Sequence, residues 1–187
     1  MKKMWMFLFV ILSFGISIFV SVNYLAGEKL EWVTLFSVPF SMIIVLVTFI
    51  FLPKQDSFNR YKKGIENIFL TLMLVLEIVH IGLVFYHMDS KFPIIMLLPI
   101  CVGLVLIATA NTLPRFQLEI PLSSSDLTKT IHQSWNKGLR LFSRPLFIGG
   151  LAMMLCVFLP QPLILPGFLT VLACTLLTSV AFSLKRA

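Results

Sequence analysis

The sequence predicts an all-α, polytopic membrane helix bundle: six transmembrane helices, N and C termini both cytoplasmic, and a single membrane domain over residues 1–187. Three observations predict it. The chain is 58% hydrophobic and 12% charged, with 18 Phe and a mean hydropathy of +0.97, whereas a soluble domain carries about 25% charged residues. Apolar runs recur at the roughly 20 residues that a helix needs to cross a hydrocarbon core of about 30 Å. Lysine and arginine fall almost entirely between alternate runs, on one side of the membrane.

Residues 4–26 form the first uncharged window and 33–52 the second. The first follows Met-Lys-Lys as a signal peptide would, but its length exceeds the usual apolar region of about 7–15 residues and no small-residue cleavage site follows. It is expected to be a retained helix. Residues 67–88 make the third span, interrupted only by Glu77, and 92–113 the fourth. The apolar stretch 141–184 is too long for one crossing and is cut by Pro160-Gln161-Pro162, which predicts spans at 141–159 and 163–184 joined by a tight turn. In the fifth span only Pro145 to Leu159 is uncharged, so Arg144 must snorkel toward the headgroups.

With six spans and a cytoplasmic N terminus, thirteen of the 15 Lys and Arg lie inside, and only Lys29 and Lys91 outside. That asymmetry sets the orientation. It also accounts for the net charge of +7 without nucleic acid, and anionic lipid headgroups are the expected neighbour. Small residues mark expected helix seams, because close backbone approach replaces the hydrophobic effect in lipid. They are Ser13, Ser17 and Ser21 on the first span, Ser37 and Ser41 on the second, Gly103 on the fourth, and Gly149-Gly150 on the fifth.

Glu77 stands at the centre of the third span, where an ionised carboxylate costs about 2.5–3.5 kcal/mol on insertion scales. His80 follows at i+3 and can share its face. Removal from water disfavours the charged forms of both, so a neutral, hydrogen-bonded pair is the expectation, with an ion pair as the other form. Two roles remain open. The pair could relay protons or cations, or anchor a ligand entering from outside past His87. It could equally clamp the third helix to Ser or Asn side chains of its neighbours. A zinc site lacks a third ligand, because His87 lies nearly two turns on and His132 falls on the opposite side of the membrane.

Between the fourth and fifth spans lies a cytoplasmic loop of about 115–140. Ser123 with Asp126 fits a helix start. Leu127, Ile131, Trp135, Leu139 and Phe142 then share an arc of about 120°, with Lys129, His132, Lys137 and Arg140 on the remaining circumference. This predicts a basic amphipathic helix in the cytoplasmic interface, leading into the fifth span. It is either a surface connector anchored by Trp135 or a docking face for a headgroup or cytosolic partner through Lys129, Trp135, Lys137 and Arg140. Catalytic patterns are missing: there is no Gly-rich phosphate loop, no nucleophile elbow and no HExxH, and Ser123 to Ser125 have no base placed beside them. Neither an enzyme nor a cofactor or metal site is expected. Cys101, Cys156 and Cys174 all lie in apolar runs, with no disulfide framework.

Two segments carry a family resemblance. One is LPKQDSFNRYKKGIENIFLTLMLVLEIVH, residues 52–80. The other is NTLPRF, residues 111–116, followed by a polar loop with His132 and by LRLFSRPLFIGGL, residues 139–151. Together they resemble the SdpI family of six-span bacterial immunity proteins, and Asn111, Pro114, Arg115, Lys129, His132, Gly149 and Gly150 fall on family positions. The family's Arg-Thr-Pro-Trp step stands here as Glu119 to Leu122, and Trp135 comes after His132 instead of before it. The resemblance implies a non-enzymatic, multi-pass protein of the bacterial cell membrane that gives resistance to a secreted peptide toxin. In one branch of the family the toxin-bound protein also holds a small winged-helix repressor at the membrane, and the basic loop helix is the face implied for it. A small proton- or cation-coupled transporter using Glu77 and His80, and a membrane signalling scaffold, are the readings that do not depend on the resemblance. From the residues alone, Asn111 and Pro114 also end the fourth helix, since proline lacks the amide that continues it and asparagine can satisfy a freed backbone group.

Overall fold

The computed structural model describes residues 2–24, 29–51, 56–88, 92–116 and 126–184, with side chains at 24, 29–31, 56–60, 126–130 and 183–184 left aside. Its elements are α1 (Lys2–Tyr24), α2 (Lys29–Phe51), α3 (Asp56–Met88), α4 (Leu97–Thr112), α5 (Asp126–Leu155) and α6 (Gln161–Leu184). Short 3-10 turns cover Ile94–Met96, Leu113–Phe116 and Cys156–Phe158. All six helices are long and apolar enough to cross a membrane, and no strand occurs among the described residues.

α1, α2 and α3 pack mutually as a three-helix unit. α4 joins them through α3, then α5 packs on α4 and α6 on α5. The core of the first unit is built by one face of each helix: Met6, Val38, Met42, Leu46, Phe49 and Met73 in one cluster, and Val20, Leu35 and Val84 in a second. Large apolar side chains such as Ile11, Val33, Phe51 and Phe158 point outward, as a bundle surrounded by hydrocarbon requires.

Two spans differ from expectation in extent. α3 runs unbroken from Asp56, about 50 Å at 1.5 Å per residue, so the basic stretch Arg60 to Lys63 belongs to the same helix as Glu77. α5 likewise merges the amphipathic segment with the fifth span into one helix of about 45 Å. Pro145 does not end it, and prolines are tolerated in spanning helices where neighbours satisfy the freed groups. The start expected at Ser123 lies outside the described residues, and Lys129 is described by its backbone alone.

The turn at Pro160-Gln161-Pro162 is present. Leu159 is extended (φ −73°, ψ 153°), as proline forces on the residue before it, and α6 begins at Gln161 with Pro162 in its first turn.

The glycine seam is tight and reciprocal. A Cβ on Gly103 would lie 2.8 Å from the Gly150 carbonyl oxygen, and one on Gly150 would lie 2.8 Å from that of Gly103. Gly149 faces α6, where a Cβ would meet Thr175 at 2.2 Å. The adjacent glycines therefore let α5 approach α4 and α6 together.

Candidate functional site

Pro39 is where the central polar layer starts. Having no amide hydrogen, it leaves the carbonyl of Leu35, four residues back in α2, without its helical donor. Ser17 of α1 supplies one: its hydroxyl donates to Leu35 O at 3.3 Å. With that proton committed, Ser17 Oγ is an acceptor toward α3, and His80 Nε2 lies 3.1 Å away. The same nitrogen is 3.1 Å from the Ser13 carbonyl, which can only accept. Nε2 therefore carries hydrogen and donates to α1, which in a neutral ring leaves Nδ1 as the lone-pair nitrogen.

This layer joins three helices in the interior. Ser13, Ser17 and His80 are fully buried and Glu77 is 4% exposed. Glu77 and His80 share a face as their spacing predicts, but the expected pair between them does not form. His80 turns Nε2 to α1, and both carboxyl oxygens of Glu77, Nδ1 of His80 and Oγ of Ser13 have no hydrogen-bond partner. Ser13 Oγ is the side-chain group facing the carboxyl, without closing a hydrogen bond to it. An unmet buried polar group costs about 1–3 kcal/mol, so the layer carries hydrogen-bonding capacity that the surrounding helices leave unused.

Above and below, the layer is closed. Along α3, Met73 precedes Glu77 and Val84 follows His80, and each belongs to one of the two apolar clusters. His87, two turns beyond His80, is half-buried with Nε2 unpartnered, and Val84 separates it from the layer.

A second proline and serine make the corresponding stitch between α4 and α5. Pro114 frees the carbonyl of Ala110, and Ser143 of α5 donates to it at 2.6 Å. This corrects the role expected of Asn111, which is exposed and does not cap the freed group. Ser37 and Ser41 also depart from expectation: both are exposed, and each hydroxyl donates to its own helix, at Thr34 O (2.7 Å) and Ser37 O (2.8 Å). The buried face of α2 is the one bearing Leu35, Val38, Met42 and Leu46, which turns those serines outward. Ser13, Ser17 and Ser21 are buried as expected.

The family-like segments meet at the basic end. Phe116 stacks on Tyr61 with centroids 5.4 Å apart, and a Cβ on Gly64 would come within 3.1 Å of the Phe116 ring. Arg115 Nη1 reaches the Lys63 carbonyl at 3.4 Å. Lys2 ties the start of α1 to the same region, bonding Asn67 and pairing with Glu66 at 3.9 Å.

On α5, Trp135, Lys137 and Arg140 are exposed and His132 is half-buried. The apolar stripe of this segment is only partly covered: Ile131 is exposed, while Leu139 and Phe142 are half-buried. Among the described residues no three His, Cys, Asp or Glu converge.

No protein-family model, curated protein or solved structure matches the chain.

Proposed function

We propose that the chain is a non-enzymatic immunity protein of the bacterial cell membrane, with both termini cytoplasmic, that protects against a secreted antimicrobial peptide. The observation that supports this reading is the joining of the two family-like segments at the basic end. Tyr61, Lys63 and Gly64 of one receive Arg115 and Phe116 of the other, so residues far apart in sequence serve one folded unit. The glycines on family positions close the α4–α5–α6 seams. The exposed Trp135, Lys137 and Arg140, with Lys129 beside them in sequence, offer a basic face on which a cytosolic repressor could dock. In this reading the polar layer is a clamp, closed by apolar side chains on both sides. Expression in a sensitive Gram-positive strain should raise survival under peptides of the sporulation-delaying type. Unchanged killing across a panel, at verified expression, would overturn the proposal. Recovery of a repressor in pull-downs should fall when Lys129, Lys137 and Arg140 are replaced by Glu, and equal recovery would remove the docking role.

A second reading is favoured by the unmet polar atoms of Glu77 and His80: a small transporter moving protons or cations through the layer. It predicts a pH-dependent flux in proteoliposomes that Glu77→Gln abolishes. The absence of flux for the parent, or its survival in Glu77→Gln, would eliminate it.

A further inference from the structure

Two adjoining clefts meet at Arg144. One is a groove of about 620 Å³ between α5 and α6, lined largely by apolar side chains such as Ile148, Ala152 and Val171, with Cys174 on its α6 wall. The other is a cleft of about 340 Å³ between α5 and the end of α4, containing Asn111 and Phe147. Arg144 and Ile148 line both. Arg144 is exposed and, among the described residues, has neither an ion-pair nor a hydrogen-bond partner. No acidic residue lines either cleft, and the Asn111 amide is likewise exposed and unengaged.

An unpaired guanidinium at the membrane-spanning part of a helix needs an anion, and its forked donors suit a phosphate. From Leu141 to Ala152 the groove follows α5 for eleven residues, about 16 Å, the length of a substantial part of an extended acyl chain. Its floor is the close contact of Gly149 with Thr175, where the missing side chain brings α5 against α6, and its α6 wall is apolar apart from threonine hydroxyls at Thr170, Thr175 and Thr178. All three hydroxyls donate to carbonyls of their own helix at 2.7 to 2.8 Å, so their hydrogens are already committed.

We infer that Arg144 and Asn111 bind the phosphate headgroup of an anionic phospholipid from the surrounding bilayer, with one acyl chain lying in the α5–α6 groove. The site gives Asn111 a task that helix termination does not. It is independent of the immunity reading, since it requires only that these helices sit in a bilayer.

The full chain, purified in detergent, is titrated with phosphatidylglycerol, phosphatidylcholine and inorganic phosphate, and bound lipid is counted by native mass spectrometry. Phosphatidylglycerol should be retained at about tenfold lower concentration than phosphatidylcholine, a difference of about 1.4 kcal/mol, because the choline cation offsets the phosphate charge that Arg144 meets. Arg144→Gln should bring the two lipids level, whereas Arg144→Lys, which keeps the charge, should retain part of the preference. Cys174→Trp, filling the groove from an exposed position, should weaken both lipids, and Lys3→Gln should change neither. Persistence of the preference in Arg144→Gln would overturn the assignment. So would its equal loss in Lys3→Gln, or binding of inorganic phosphate at the same concentration as the lipid.

Discussion

Ser17 shows how one residue's role follows from another's missing atom. Pro39 removes an amide, Leu35 is left with a free carbonyl, and Ser17 answers it from the next helix at 3.3 Å. Ser17→Ala should therefore destabilise the bundle by about 0.6–1.7 kcal/mol, the range measured for hydrogen bonds between spanning helices. In a Pro39→Ala background the restored amide at position 39 recaptures the Leu35 carbonyl, and the cost of Ser17→Ala should shrink. An equal cost in both backgrounds, measured by unfolding in mixed micelles, would contradict the stitch. The same cycle applies to Ser143 and Pro114. The sequence made Glu77, His80 and the Ser13, Ser17, Ser21 row legible, because helical spacing alone puts them on common faces. It did not reveal which partner His80 takes, since the Ser13 carbonyl and Ser17 hydroxyl that meet its Nε2 come from α1, far away in sequence. Ser37 and Ser41 misled for a related reason: spacing shows that two serines share a face, not which face is buried.

At the scale of elements, the spans were readable from length and charge, while their ends were not. Polar residues stop an apolar window without stopping a helix, so α3 continues through Arg60 to Lys63 and α5 runs from Asp126 to Leu155. The continuity of α5 has a direct measure. Spin labels at positions 131 and 151 are twenty residues apart, which an unbroken helix places at about 30 Å. A right-angled turn at the membrane surface near position 141 would bring them to roughly 21 Å, and that distance would refute a single helix. The α4–α5 seam gives a second prediction. Gly150→Leu puts side-chain atoms where Gly103 O and Ile107 lie within 3.2 Å of a bare Cβ, so it should cost about 1–3 kcal/mol by overpacking. Gly138→Ala, with nothing within 4 Å of the added Cβ, should be silent or slightly stabilising in the same unfolding assay.

The whole molecule is a three-helix unit held by a buried polar layer, continued through α3 into a row of α4, α5 and α6 with a basic end. Its six spans follow from the lengths of the apolar runs and the placement of charge; the basic end is drawn together by contacts that no single window contains, Arg115 with Lys63, Phe116 with Tyr61, and Lys2 with Glu66. The orientation proposed for it predicts that reporter fusions at both termini are active only as cytoplasmic reporters; opposite labels at the two ends would break the six-span topology. If the polar layer is a clamp, Glu77→Gln preserves the fold and the protective function together, which separates immunity from transport. The most direct measurement is survival of a sensitive Gram-positive strain expressing the parent chain or Glu77→Gln under a panel of sporulation-delaying-type peptides. Protection by both proteins against at least one peptide is the predicted result, and killing indistinguishable from the empty strain at verified expression is the result that would contradict it.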